Sequence, residues 1–147
     1  MTTTLTVGQR KIAAAGRCAA AYWAAALAGA TPGVIPVDHP AAPRTGRAEA
    51  LATVAADEAL ARRLDAVSRG DDHALHTLLT AATVALVRVY QGGDDLTVGQ
   101  PPTGAAPLAR VLPVRAPVAA ADTFRSLLGT VGSVTRDVLR HQDYPVD

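Results

Sequence analysis

Between Ala74 and Tyr90 the side chains of Leu75, Leu78, Leu79, Ala82, Val84, Leu86, Val87 and Val89 fall on nearly every face of a helix. A helix that is apolar on most sides belongs in the middle of a core, so the other elements have to pack around it. Gly92-Gly93 ends it, and Asp94-Asp95 leads into an alternating run, Leu96 to Gly99, that reads as a strand. Pro101-Pro102 stops that strand, and a second one is expected from about Arg110 to Ala116. Pro113 lacks a backbone donor, which places this second strand at a sheet edge or a bulge.

Helices flank this centre. Gln9 to Leu27 is alanine-rich and free of proline, with Tyr22, Trp23 and Leu27 as its apolar edge and Gly29 as its stop. Asp57 suits the N-cap of a helix running to about Arg69, in which Leu60, Leu64 and Val67 form a stripe expected to be buried. Gly70-Asp71-Asp72 ends that helix and starts the central one. Asp122 is the expected cap of a last helix, Thr123 to Arg140. There Phe124, Leu127, Leu128, Val131, Val134 and Val138 share one face, while Arg125, Ser133, Arg136, Asp137 and Arg140 face away. A weak strand is expected at Glu49 to Ala55, carried by Leu51 and Val54. The order α-β-α-α-β-β-α implies an α/β chain of the α+β two-layer kind, with helices packed on a small mixed sheet. The chain reads as a single domain over 1–147: an N-terminal helix in 1–30, a proline-rich strap in 31–47, and sheet and helices in 48–147.

Composition removes several function classes. The chain has 147 residues, is 49% hydrophobic and carries a net charge of +1, so no field draws it to polyanions. Its arginines are scattered, with Arg62-Arg63 the only adjacent pair, and no basic stripe alternates with aromatics. Nucleic-acid binding is therefore not expected. Lys11 is the only lysine against thirteen arginines, and alanine abounds, a bias of GC-rich, actinobacterial-type coding. Cys18 stands alone, which leaves no disulfide framework and suggests a small packing residue. Ile12 to Leu27 is interrupted by Gly16 and Arg17, and the N-terminus does not read as a secretion signal. A cytoplasmic protein with no membrane partner is expected.

Few residues suggest chemistry. His141 and Asp143 could form a general base with a carboxylate orienter, but a helix-ending turn explains the same spacing, since the helix dipole favours His⁺ at a C-terminus. His73 and His76 share a helix face, yet a metal site needs a third ligand, and Asp71 and Asp72 are better explained as helix caps. No metal site is assigned. Ser68, Ser126 and Ser133 lack a nucleophile-elbow context. Gly92-Gly93-Asp94-Asp95 precedes a strand, whereas a phosphate cradle opens a helix.

In combination, several segments resemble the condensation domains of nonribosomal peptide synthetases. Tyr22-Trp23 through Leu27-Ala28-Gly29 is similar to that family's Tyr-Trp…Leu-x-Gly helix end. Pro36-Val37-Asp38-His39-Pro40 resembles its Leu-Pro-x-Asp-x-Pro strap, with His39 expected to face solvent. The run from Leu78 through Tyr90, Asp95 and Gly99 to Pro101 resembles its buried helix and following strand, and Leu112-Pro113-Val114-Arg115 its next strand. Asp122 to Leu128 resembles the start of its last helix. The tail His141-Gln142-Asp143-Tyr144-Pro145, with Asp147 two further on, is similar to its His-Gln-Asp-Tyr-Pro-Phe-Glu motif. The resemblance covers Tyr22 to Asp147 and maps to the second of the family's two chloramphenicol-acetyltransferase-like lobes.

The departures set the functional expectation. The family's active-site motif, two histidines followed by Asp-Gly, belongs to the first lobe, and no histidine precedes Tyr22. The Gly-x-Phe-Val-Asn-Thr motif expected between Gly104 and Leu112 is replaced by Ala105 to Val111, and Val146-Asp147 stands in place of Phe-Glu. The resemblance therefore implies a truncated, catalytically silent condensation domain with no catalytic residue of its own. It would sit at the N-terminus of an initiation module, as a structural and interaction scaffold for an adjacent adenylation domain. Tyr22, Trp23, Asp38, Tyr90, Asp95, Gly99, Arg115, His141, Gln142, Asp143, Tyr144 and Pro145 would be landmarks of structure. Phosphopantetheine would be carried by partner carrier domains and not bound covalently here, so no cofactor is expected. Two alternatives remain: half of a two-chain enzyme completed by a separate first lobe, and a docking module recruiting another synthetase or accessory protein through the N-terminal helix.

Overall fold

A computed structural model describes residues 7–31, 33–36, 51–104 and 111–146, with the side chains of 7–15 outside the description. Along the chain run α1 (Val7–Ala26), α2 (Glu58–Ser68), α3 (Asp72–Gln91), β1 (Asp95–Gln100), β2 (Leu112–Pro117) and α4 (Phe124–Arg140). The two strands pair antiparallel, with Thr97 opposite Arg115, Val98 opposite Val114 and Gly99 opposite Pro113. The alternation of β2 turns Leu112, Val114 and Ala116 inward against α4, while Pro113 and Arg115 face outward. Pro113 is tolerated because each strand of a two-stranded sheet has an open edge. Helices packed on a small sheet are thus present as expected, although the described sheet is one antiparallel pair and not mixed.

Two apolar clusters make the core. Ala81 and Val84 of α3 meet Leu96, Ala116, Val118, and Leu127 and Val131 of α4. Trp23 of α1 meets Leu112, Val114 and Val138. The α4 stripe forms as its periodicity requires, with Leu127, Val131 and Val138 buried, and Thr135 completes the row. Phe124 remains 47% exposed at the entrance of the helix.

Capping explains where the helices begin. The carboxylates of Asp57 and Asp71 accept hydrogen bonds from the N–H of Leu60 and Ala74, at 2.7 and 2.8 Å. At α4 the cap is Thr123 and not the expected Asp122, because Thr123 Oγ1 accepts from Ser126 N. Asp122 instead accepts from Ala119 N and Ser126 Oγ, closing the preceding turn. Gly92 caps α3 at a positive φ of 66°, a conformation glycine adopts without steric cost.

Several expectations are corrected. The described part of the Glu49–Ala55 strand, Leu51–Ala55, is irregular, and Leu51 and Val54 are 93% and 92% exposed. Among the described residues no strand lies beside it, so its two large apolar residues have nothing to pair with. The stripe on α2 is not buried as a unit: Leu60 and Val67 lie open, and Ser68 is the buried residue of that helix. The central helix is buried on one side only. Thr77, Thr80, Ala81 and Val84 face the core, while Leu79, Leu86, Val89 and Tyr90 are at least half exposed on the opposite side. Cys18 is exposed on α1 and does not serve as a packing residue. Asp38 and His39 lie outside the described residues, as does most of the strap; its opening, Thr31 and Gly33–Val34, runs beside Gln91–Leu96 at the end of α3.

Candidate functional site

The expected landmarks gather where α1, β2 and the tail meet. The Trp23 indole N–H donates to the His141 carbonyl at 3.0 Å, across most of the chain. Beside it the Tyr22 ring stacks on the His141 imidazole, with centroids 4.0 Å apart and planes 10° from parallel. Tyr22 and Trp23 also meet edge to face at 5.0 Å. The tail then turns back: Tyr144 N–H donates to His141 O, and Tyr144 and Val146 pack on the Trp23 cluster. Gln142 Oε1 accepts from the N–H and hydroxyl of Thr103, tying the tail to the turn after β1.

Arg115 completes the assembly from the outer face of the sheet. Its Nε and Nη2 donate to the carboxylate of Asp95, with Nη2 at 2.6 Å from Oδ2. Its Nη1 donates to the carbonyls of Ala26 and Ala28 at 3.0 and 2.7 Å. Ala26 is the last residue of α1 and Ala28 lies in the turn that follows it, where intrahelical donors run out and a cation also complements the helix dipole. Asp95 sits diagonally from Arg115 across the ladder, two positions along from Thr97, within reach of a long side chain.

The geometry fixes the chemistry of His141. Its Nδ1 lies 2.7 Å from the Asp137 carbonyl. A carbonyl only accepts, so Nδ1 carries a proton and Nε2 is the unprotonated nitrogen of the neutral ring. The nitrogen a carboxylate orienter would need is thus bonded to backbone, and among the described residues no hydrogen bond joins His141 to Asp143, which is exposed. His73 is exposed on α3, and His76 Nε2 pairs with Gln100 Oε1 at 2.9 Å. Among the described residues no group of three or more His, Cys, Asp or Glu is placed to hold a metal.

Not all landmarks join the clasp. Tyr90 stands 59% exposed on the far side of α3, Gly99 pairs with Pro113 in the ladder, and Pro145 is exposed. A Cβ at Gly99 would come within 2.6 Å of Val111 Cγ1, so the close approach favours glycine there. The sequence reading missed Asp137, whose carbonyl orients His141, and Thr103, which holds Gln142. Neither carries a sequence signal, because the one acts through its backbone and the other through a turn.

Two ionisations couple to the clasp. Hydrogen bonding to Arg115 holds the Asp95 carboxyl below its usual range; desolvation opposes this, and the guanidinium charge lowers it further. A depressed folded-state pKa gives stability that is present above the usual carboxylate pKa and lost as pH falls through the depressed value. Desolvation, reinforced by the charge of Asp137, raises the Tyr22 phenol above its usual value. A raised pKa gives stability that is complete below the usual phenol value and lost as pH climbs toward the raised one. Tyr22→Phe is therefore expected to hold its urea midpoint better than the parent between about pH 9 and about pH 11. Equal losses in both proteins would exclude Tyr22 as the responsible group.

Comparison with known proteins gives one consistent direction. No family model matches the chain. It is 33% identical to a linear gramicidin synthase of Brevibacillus parabrevis over 137 residues, covering 86% of this chain and 2% of that protein. It is 32% identical to tyrocidine synthase 2 of the same organism, again over 86% of this chain and 4% of the relative. Against a surfactin synthase of Bacillus subtilis strain 168 the identity is 27%, with the same coverage of this chain and 4% of the relative. The chain thus spans only 2% to 4% of the length of these curated relatives. A solved mutant starter condensation domain of the rhizomide synthetase RzmA, in complex with C8-CoA and Leu-SNAC, superposes with a TM-score of 0.62 at 22% identity. That match covers 94% of this chain and 32% of the solved one, and it establishes the fold.

Proposed function

We infer that this chain, which is a condensation-domain segment of the nonribosomal peptide synthetase kind, acts as a non-catalytic scaffold within its synthetase. The observation that carries this reading is the commitment of His141 to structure. Its Nδ1 is bonded to Asp137, its ring lies on Tyr22 and its carbonyl holds Trp23. The other histidines are His39, His73 and His76, and no two histidines are adjacent in the sequence. A motif of two neighbouring histidines therefore has no counterpart among these residues.

The scaffold would hold an adenylation domain at the start of an initiation module, which has no upstream peptide to condense. Phosphopantetheine would enter on carrier domains. The bare side of α3, with Leu86 57% and Val89 80% exposed, supports an interaction role, because apolar patches of this kind mark contact surfaces. The reading is tested by producing the adenylation domain with and without this chain. The chain is expected to co-purify with that domain and raise its melting temperature, as a partner that binds the native state must. An adenylation domain whose melting temperature is unchanged by the chain would reject the scaffold.

The same bare helix face favours a second reading, a condensation enzyme completed by a separate first lobe. A first-lobe polypeptide encoded nearby that bound this chain and conferred amide synthesis would establish it in place of the scaffold.

A further inference from the structure

The two edges of the sheet are built differently. Val118 N–H donates to the Asp94 carbonyl at 2.8 Å, and these residues are opposite each other in the register of the ladder. Bonded and non-bonded pairs alternate along an antiparallel ladder. The bonded pairs are therefore Leu96–Ala116, Val98–Val114 and Gln100–Leu112. The backbone groups of Asp95, Thr97 and Gly99 on β1, and of Pro113, Arg115 and Pro117 on β2, point away from the partner strand. Both prolines lack an N–H, so the β2 edge is closed to a further strand. β1 contains no proline, and its one charged side chain, Asp95, is held by Arg115. Among the described residues no hydrogen bond engages the backbone of Thr97 or Gly99 on that outer edge.

The helices leave room beside the same edge. α3 lies on β1 and α4 on β2. Packed helices stand about 8–10 Å apart and paired strands about 4.8 Å, so the helix layer is wider than the two strands it covers. On the β2 side Trp23 fills the extra width, meeting Leu112, Val114 and Val138. On the β1 side Val98 points inward between the buried Leu96 and Gln100, yet it is only half-buried, as is Val87 of α3. We propose that the outer edge of β1 is a docking site for one extended segment of a partner polypeptide, which adds a third strand beside Thr97 and Gly99. The backbone of that segment pairs with their outward N–H and C=O groups. Its side chains are apolar at every second position and turn inward against Val87 and Val98. A second copy of this chain is a poor occupant, because joining β1 to β1 across a two-fold axis would set two α3 helices about 5 Å apart, closer than helices pack. The docking edge does not depend on the scaffold reading, since it follows from the ladder and the packing alone.

Amide exchange and binding on the full chain test the proposal. In the free protein the N–H groups of Thr97 and Gly99 are expected to exchange at least about tenfold faster than those of Leu96 and Val98. Equal protection of all four would overturn the proposal, because this chain's own residues would already fill the edge. The probe is a short peptide alternating threonine and valine between terminal lysines, titrated against isotope-labelled protein. It should slow exchange at Thr97 and Gly99; no change at these amides in millimolar excess of peptide would overturn the docking site. Thr97→Pro removes an outward donor without breaking a ladder bond and should weaken the peptide about tenfold. The same peptide N-methylated at every threonine and valine keeps its side chains but loses its edge donors, and should bind the parent chain at least as weakly. Equal affinity for the methylated peptide would overturn the proposal even if Thr97→Pro fails to fold. A chain that dimerises through β1, and is dissociated by Thr97→Pro, would overturn it in favour of a second copy.

Discussion

Trp23→Ala is expected to lower the stability of the folded chain by about 3–5 kcal/mol. The indole is 3% exposed and is the largest side chain of the cluster formed with Leu112, Val114 and Val138. Its removal opens a cavity at the junction of α1, β2 and α4 and leaves the His141 carbonyl without its donor. Domains of this size are stable by only about 5–15 kcal/mol, so the loss is a large share of the total. Urea unfolding followed by circular dichroism reads it as a lower midpoint at similar slope. A loss of less than about 1 kcal/mol would mean that the tail and α1 do not share a core.

The second large effect separates two positions on α3. Val84→Asp places a carboxylate where the native side chain is fully buried, between Leu96 and the α4 stripe. An unpaired buried charge costs several kcal/mol, about enough to unfold a small domain. Leu86→Asp, two residues on, alters a side chain that is 57% exposed, and is expected to change stability by less than about 1 kcal/mol. Solubility of the isolated chain should rise with Leu86→Asp, because an exposed apolar face favours association. Equal destabilisation by the two substitutions would show that α3 is enclosed on both sides within this chain.

That contrast marks how far the sequence reaches. A 3.6-residue period identifies α3 and α4 and even the buried row of α4, because Leu127, Val131 and Val138 repeat on one face. Alternation and paired glycines locate β1, and a proline bounds it. What periodicity does not carry is whether a partner lies on each apolar side. Leu79, Leu86 and Val89 look as buried in the sequence as Val84 does, and Leu60 and Val67 look as buried as Leu127. The strand expected around Leu51 and Val54 fails for the same reason, since a strand is stable only beside another one.

The clasp is legible in the sequence as a set of residues but not as an assembly. Tyr22, Trp23, Asp95, Arg115, His141, Gln142 and Tyr144 come from four separate stretches of the chain. Their meeting depends on the register that sets Arg115 diagonal to Asp95 and on the turn that brings the tail back under Trp23. Bonds to the backbone, such as His141 to the Asp137 carbonyl and Arg115 to those of Ala26 and Ala28, leave no trace in side-chain identity.

Whether this segment contributes structure and not chemistry is open to one direct comparison. On the proposed scaffold role, a synthetase carrying these residues is prepared with and without them, and aminoacyl-adenylate formation, amide-bond formation and soluble yield are measured side by side. For a non-catalytic scaffold, removal lowers soluble yield and melting temperature while each active molecule forms adenylate and amide at the parent rate. Loss of amide-bond formation alone, with adenylation and soluble yield unchanged, would contradict that role.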